Sequence, residues 1–379
     1  MDEEGKDRRM IEPEFATAPF ELLELDYRPT LPKRLDHGIA IVGAGEIVDA
    51  AHLPAYRLAG YRVVGLFDLD QEKAAKVAAR HGVPRVYETL DALVHDPEVD
   101  VVDIAIPARH QLDVVRRVVE HKHAILCQKP LGETFAAARS LVEVCEAAGA
   151  RAAVNQQMRW APGIRASRAV IRQGWLGPLV QGTVEVNVLT PWDHWPWFTE
   201  LEGMEFMYHS IHYMDSLRYL MGTPQMVFAD AARFPGQPWK AATRTTTLFW
   251  FDGDTRGLIV DNHNNIAAED DWYATFRFEG GDGTVKGTFG ALYNYPTGRE
   301  DTLSFFSRKV SRDYWFSPRL DGRWFPHAFM GSMGELMLAV EEERQPENSV
   351  ADNLTTLRMV FGAMRSVAER RVVRLDEIQ

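Results

Sequence analysis

The apolar run Ile39-Ala40-Ile41-Val42 leads straight into Gly43-Ala44-Gly45-Glu46-Ile47-Val48 and then into a helix-compatible stretch from Asp49 to Leu58. No other segment restricts the fold of this chain as strongly. A continuous apolar run ending in glycine is expected of a strand buried on both faces of a parallel sheet. Gly43 permits a tight turn after that strand, and Gly45 lets backbone approach a pyrophosphate. The free N–H groups and dipole of the following helix N-terminus would then hold that anion. The third glycine usual in such loops is replaced by Val48, which calls for a slightly wider helix-to-strand separation.

The second strand strengthens this reading. Arg62 to Phe67 is apolar and ends at Asp68, close to the ~20-residue spacing of an acid that binds ribose hydroxyls. A carboxylate there accepts hydrogen bonds from both hydroxyls of NAD and repels the 2′-phosphate of NADP. The next residues, Leu69 and Asp70, include no arginine to neutralise such a phosphate, so NAD is the expected cofactor. The bland alternative is a solvated acid at a strand end. Helix and strand patterns then alternate: helix Gln71 to His81, strand Val99 to Ile106, helix Gln111 to His121, strand Ala124 to Cys127, helix Thr134 to Ala148 and strand Arg151 to Val154. Leu112, Val115, Val118 and Val119 share one helix face, as do Leu141, Val144, Cys145 and Ala148. Strands alternating with helices predict a doubly wound parallel sheet. Pro107 and, one strand later, Lys129 in Cys127-Gln128-Lys129-Pro130-Leu131 fall on its carboxyl edge, where open α/β sheets present chemistry.

With 379 residues, 46% of them hydrophobic, the chain exceeds one compact core and predicts two domains. The expected divisions are an N-terminal arm over 1–36, a nucleotide-binding domain over 37–160 and a substrate-binding and oligomerisation domain over 161–379. A formal net charge of -12 argues against nucleic acid and anionic membranes as partners. Cys127 and Cys145 lack zinc or disulfide spacing and read as reduced, buried thiols of a cytoplasmic protein. No signal peptide or membrane span is expected. Pro13, Pro19, Pro29 and Pro32 forbid a long helix in the arm, while Phe15, Phe20, Leu22, Leu23 and Leu25 favour its draping over a neighbouring surface.

The second half reads as a sheet domain. Val180, Gly182, Val184, Val186 and Val188 alternate with polar residues at the strand period. Further strands are expected at Met226 to Phe234, Thr243 to Phe251, Arg256 to Asp261, Trp272 to Phe278 and Thr284 to Phe289, the last two joined by a Gly280 to Gly283 turn. Gly331 to Glu343 and Asp352 to Arg370 read as closing helices. The densest chemical patch is Met207-Tyr208-His209-Ser210-Ile211-His212-Tyr213-Met214-Asp215, where spacings of four and three put Tyr208, His212 and Asp215 on one helix face. Indole faces suit sugar rings, so the Trp192-Asp193-His194-Trp195-Pro196-Trp197 cluster is a candidate substrate wall, with a hydrophobic plug or subunit contact as the alternative. Asp261-Asn262-His263-Asn264-Asn265 suits a hydroxyl-rich ligand or a loose metal site; it lacks carboxylate and histidine at a recognised metal-ligand spacing, and no metal is expected.

Gly43-Ala44-Gly45, Asp68, Pro107, Gln128-Lys129-Pro130 and His212-Tyr213-Met214-Asp215, in this order and spacing, resemble the Gfo/Idh/MocA family of glucose-fructose oxidoreductase and inositol dehydrogenase-like enzymes. The resemblance extends from about Gly38 to the end. It implies an α/β fold, with an N-terminal Rossmann domain of doubly wound parallel sheet and a C-terminal α/β domain with a large, mostly antiparallel open sheet that often builds oligomer contacts. A homo-oligomer (dimer, tetramer or higher) formed through that sheet is therefore expected. Gly43, Ala44, Gly45, Glu46, Ile47, Asp68, Pro107, Gln128 and Lys129 are the implied cofactor-binding positions. Lys129, His212, Tyr208 and His209 are the candidate catalytic residues. Asn155, Arg159, Trp160, Trp192, His194, Asp215, His263 and His327 are the candidate substrate contacts. Two departures stand out. Gln128 replaces the glutamate of the family's Glu-Lys-Pro, and Tyr208 and Ser210 replace Asp and Gly in its Asp-x-Gly-x-His-x-x-Asp.

Oxidising a secondary alcohol requires a base within reach of the hydroxyl proton while hydride leaves the carbon. Lys129 is the expected base, its pKa lowered by burial and the cationic cofactor ring; His212 would relay the proton, oriented by Asp215. Tyr208 could join as acid or base only with a lowered pKa. The expected activity is NAD-dependent oxidation, or reverse reduction, of a ring secondary alcohol in a sugar, glycoside or cyclitol. Alternatives are an NAD-retaining enzyme using transient oxidation for elimination, epimerisation or redox exchange between substrates, and a non-catalytic dinucleotide-binding sensor.

Overall fold

The structure is a computed structural model and describes residues 25–192, 200–266, 271–293 and 298–379. Its first sheet contains β1 (Ile39–Val42), β2 (Val63–Phe67), β3 (Val101–Ile104), β4 (Ala124–Cys127) and β5 (Ala152–Val154), in the order β2-β1-β3-β4-β5. Every pairing is parallel. β1, β3, β4 and β5 are buried at each position, the environment their unbroken apolar runs require. Strand order reverses at β1, which opens a crevice outside the carboxyl ends of β1 and β3.

α1 (Leu53–Ala59), α2 (Gln71–His81), α3 (Leu90–Val94), α4 (Ala108–Val119) and α5 (Phe135–Ala147) connect these strands. Asp70, Thr89 and Thr134 start α2, α3 and α5 by accepting a backbone N–H with their side chains, satisfying donors that the helix leaves free. The helix after the glycine loop departs from expectation: residues Val48–His52 form a π turn before α1. Val48, standing where the third glycine is usual, is fully buried, and the wider turn gives it room.

The second half adds α6 (Pro162–Arg172), β6 (Leu179–Asn187), α7 (Ile211–Met221), β7 (Met226–Ala232), β8 (Arg244–Trp250), β9 (Arg256–Asn262), β10 (Tyr273–Gly280), β11 (Gly283–Thr288), β12 (Thr302–Ser307), α8 (His327–Glu341), α9 (Val350–Glu369) and β13 (Val373–Arg374). The strands form an eight-stranded sheet, β12-β11-β10-β6-β9-β8-β7-β13. Only β6 and β9 pair in parallel; the other neighbours are antiparallel. The expected hairpin is present, with Gly280 opposite Gly283. β12 and α6 were not anticipated, because six alternating residues and a short helix carry little periodic signal. α7 lies close on the inner face of the sheet: a Cβ at Gly182 would come within 2.9 Å of Leu217.

α8 crosses back to the first sheet. Phe329, Met333, Leu336 and Met337 share a core with Ile39, Val48 and Tyr56, and Tyr61 Oη donates to the Met330 carbonyl at 3.0 Å. The backbone N–H groups of Lys33 and Arg34 donate to the Glu341 carboxylate, each at 2.8 Å, and Leu25 and Tyr27 pack on the core. This part of the arm therefore drapes as expected; Phe15, Phe20, Leu22 and Leu23 lie outside the described residues. Both cysteines are buried free thiols, and no described helix is long and apolar enough to cross a membrane.

Candidate active site

A cavity of about 410 Å³ opens at the carboxyl edge of the first sheet and is closed on its far side by the second half of the chain. Gly43, Gly45, Glu46, Ile47, Asp68, Pro107, Gln128 and Lys129 line one wall, and Tyr208, His209, His212 and His263 the other. The sequence reading had singled out all twelve.

The glycine loop is shaped for a dinucleotide. Gly43 has φ +108°, and a Cβ there would meet the Ala105 carbonyl oxygen at 2.5 Å, so no other residue fits. A Cβ at Gly45 would meet nothing within 4 Å, leaving its backbone open to the cavity. Asp68 Oδ2 accepts the Ala44 N–H at 2.7 Å and Oδ1 accepts the Asp70 N–H at 2.9 Å, which aims the carboxylate while leaving lone pairs for ribose hydroxyls. Lys73 lies 3.9 Å from Asp68, a cation that the linear reading did not weigh. These residues fit NAD: a backbone cradle for its pyrophosphate and an acid for its ribose.

Lys129 keeps some accessible surface through the cavity mouth, while protein crowds its ammonium from most directions. Its Nζ donates to the Tyr208 carbonyl at 2.6 Å and lies 5.3 Å from the centre of the Tyr208 ring. No carboxylate pairs with it among the described residues. Burial without a counter-charge lowers its pKa to about 7, the range of a base at neutral pH.

Gln128 is held by a network that sequence reasoning missed. Its Oε1 accepts the Lys129 N–H at 2.9 Å, and its Nε2 faces His52 Nε2 at 3.2 Å, as does Asn155 Nδ2. An amide nitrogen only donates, so His52 Nε2 must carry the lone pair and Nδ1 the proton. Nδ1 lies 2.6 Å from Asp103 Oδ2, which also accepts the Tyr56 hydroxyl at 2.7 Å. The chain Asp103-His52-Gln128 thus fixes the backbone of the Lys129 loop, and a neutral amide suits a lone-pair nitrogen where a carboxylate would be repelled. Asn155, expected at the substrate, stands behind this network, its Oδ1 accepting the Ser332 hydroxyl at 2.6 Å.

Further expectations require correction. Tyr208 was to act as acid or base with a lowered pKa; burial instead drives its phenol up, so it contributes its carbonyl and ring face. Asp215 was to orient His212, and Arg159 to meet substrate. Neither lines the cavity: Arg159 Nε and Nη2 donate to Asp215 at 2.6 and 2.8 Å, and Nη2 also to Asp352 at 2.8 Å. Thr356 and Arg218 complete the shell around Asp215. The physical reason is the buried guanidinium of Arg159 on the Gln157–Trp160 turn, which with Thr356 of α9 holds the Asp215 carboxylate on the side of α7 away from the cavity. Trp160 is likewise buried, against Gly331 of α8.

His212 lines the cavity with its ring edge-on to Trp324 at 5.1 Å. Burial and then the Lys129 charge hold its pKa well below the usual histidine range. It is a neutral hydrogen-bonding group beside the lysine. Trp192 stays outside the lining and packs edge-on behind His209 at 5.7 Å. His327 opens α8 half-buried beside Gly322, also outside the lining, and His194 falls outside the described residues. Gln157, Trp324 and Phe325 do line the cavity and were missed, because nothing in their local sequence marks them.

His209 and His263 meet Glu205, another residue overlooked. His209 Nδ1 lies 3.1 Å from Glu205 Oε2, His263 Nδ1 contacts Glu205 Oε1, and the two imidazoles stack with centres 4.0 Å apart. Burial opposes the Glu205 charge, but the two histidines hold its pKa down to about 2.

Comparison with known proteins supports the same reading. The pattern of an oxidoreductase family with an NAD-binding Rossmann fold matches residues 37–156, and that of the GFO/IDH/MocA C-terminal domain matches residues 164–309. The chain is 25% identical over 342 residues to a D-apiose dehydrogenase of Paraburkholderia graminis, covering 90% of each chain. It is 22% identical over 346 residues to the D-glucoside 3-dehydrogenase of Escherichia coli, again 90% of each. Its fold is similar to that of an Agrobacterium radiobacter oxidoreductase crystallised with NAD+, L-tartaric acid and magnesium, with TM-score 0.78 and 21% identity over 91% of this chain and 100% of that one.

Proposed function

The chain belongs to the Gfo/Idh/MocA oxidoreductases, with their NAD-binding Rossmann domain, and from that premise we propose that Lys129 is the base in an NAD-dependent oxidation of a ring secondary alcohol. Its substrate is a sugar, glycoside or cyclitol, the class acted on by the apiose and glucoside dehydrogenases that it resembles. The observation that carries this reading is the Lys129 ammonium, buried without a carboxylate partner among the described residues and facing the crevice that the glycine loop opens; burial brings its pKa down to about 7.

Bound NAD supplies the hydride acceptor. The protein does the rest. Lys129, in its neutral form, takes the hydroxyl proton as the alcohol carbon loses hydride. Held by the Tyr208 carbonyl and the Gln128 amide chain, it is positioned before substrate arrives, which lowers the entropic part of the barrier. His212, neutral and next to Lys129, hydrogen-bonds the same oxygen or its neighbour. Trp324 and Phe325 cover the cavity with apolar surface and exclude water.

A lysine kept as a base favours an enzyme over a non-catalytic sensor. Incubating the protein with NAD and a panel of monosaccharides, glycosides and inositols, while following NADH absorbance, tests the assignment. NADH formation with a sugar or cyclitol is expected; a null result across the panel, with NAD bound, would refute it. Copies of the chain are proposed to meet through the outer face of the eight-stranded sheet, where Phe228, Val260 and Tyr273 are exposed. Light scattering on the eluting protein checks this.

A further inference from the structure

Among the described residues, Glu205, His209 and His263 bring one potential ligand atom each to within 4.8 Å of the others. Linear spacing hid this. Glu205 and His209 lie four positions apart on the π turn, whereas His263 follows β9 and is pinned through its backbone, its N–H donating to the Thr243 carbonyl and its carbonyl accepting the Thr190 N–H, each at 3.0 Å. We propose that these three side chains bind a divalent transition-metal cation of the zinc class in the wall of the substrate cavity.

Three observations carry the proposal. First, Glu205 is 1% exposed and His263 2% exposed, and Glu205 Oε1 and His263 Nδ1 are in direct contact, so two potential ligand atoms already converge at a buried point of the wall. Second, the remote nitrogen of His263, Nε2, is held by Tyr213 Oη at 3.1 Å, the kind of partner that orients a metal-bound imidazole. Third, two imidazoles and one carboxylate form a known zinc ligand set that leaves a fourth position open. Metal–ligand bonds of about 2.0–2.1 Å require tetrahedral neighbours roughly 3.3 Å apart, so small side-chain rotations that part Glu205 from His263 and bring His209 in would admit the ion.

His209 and His263 line the cavity, so the open position faces it and accepts a water or an oxygen of a hydroxyl-rich ligand. Only that last identification rests on the dehydrogenase reading; cation binding does not.

The test uses the full chain, stripped with a chelator and titrated with zinc chloride against a chromogenic zinc indicator. Visible absorption of the cobalt(II)-loaded protein gives a second readout. One zinc per chain is expected, with cobalt bands of low-symmetry nitrogen and oxygen coordination. Tyr213→Phe keeps all three ligands and should weaken zinc binding by about 10–100-fold; Glu205→Gln should weaken it further. NAD binding, followed by NADH fluorescence, should be retained in both. Zinc uptake by the unmodified protein no greater than that of Glu205→Gln would overturn the proposal. So would affinities unchanged in both variants. Should Glu205→Gln fail to fold, the Tyr213→Phe affinity and the cobalt spectrum decide. Zinc bound without NADH formation on any sugar sinks the substrate assignment and leaves the metal site standing; NADH formation without zinc uptake does the reverse.

Discussion

Two cations buried close to the same helical segment have opposite fates. Arg159 is enclosed by Asp215, Asp352 and the Glu347 carbonyl, and although burial opposes its charge, the carboxylates hold its pKa above the ordinary value. Lys129 is offered one carbonyl and an aromatic face, and burial alone brings its pKa down to about 7. Saturation with counter-charge turns a buried cation into a fixed strut; withholding it produces a group that can exchange a proton at neutral pH. The difference separates stability from chemistry in residues that sequence reading had placed together.

Breaking the comparison on its reactive side should have the largest effect. Lys129→Met should lower kcat by about 10²–10⁴-fold, with NAD affinity and unfolding midpoint little changed; a variant keeping its rate would refute the assignment. On the strut side, Asp215→Asn removes the main partner of a buried guanidinium and should cost about 3–5 kcal/mol of stability, read by urea denaturation. Loss of activity in that variant should follow its unfolded fraction. Gln128→Leu tests whether the lysine needs its support: it strands the Lys129 N–H, while His52 Nε2 keeps Asn155 Nδ2 as a donor, which should cost about 1–3 kcal/mol. Its kcat should fall more than its NAD affinity.

The smallest effect is a matter of pH. The reactive form of Lys129 is the neutral amine, which dominates above its pKa, so kcat/KM should rise with pH up to about 7 and then level off. Below that point the loss approaches about tenfold per pH unit. A profile still rising well above neutrality would mean that the lysine remains charged in the working enzyme.

Much of the first sheet was legible because its signals are local. α2 falls on the residues expected of it, and β1 ends at the glycine that a Cβ could not replace. The cofactor wall and Lys129 followed, since a loop after a buried strand of a parallel sheet has only one place to go. The opposite wall was only half legible. Tyr208, His209 and His212 reach the cavity, but helical spacing carried the argument one step too far, to Asp215, because nothing local announces the Arg159 guanidinium, 56 positions away, that claims it. Glu205 was visible four residues before His209, yet its meaning depends on His263. His52 and Asp103 escaped notice for the same reason, lying 51 positions apart.

The sequence by itself determined the strand, the glycine turn and the position of Lys129 at a carboxyl edge, since hydrophobic period and turn chemistry act over a few residues. Tertiary structure alone decided which groups are charged and which are paired. Desolvation and Coulomb interaction depend on distance through space, and residues far apart in the chain set them: Tyr208 for Lys129, Asp215 for Arg159, His263 for Glu205.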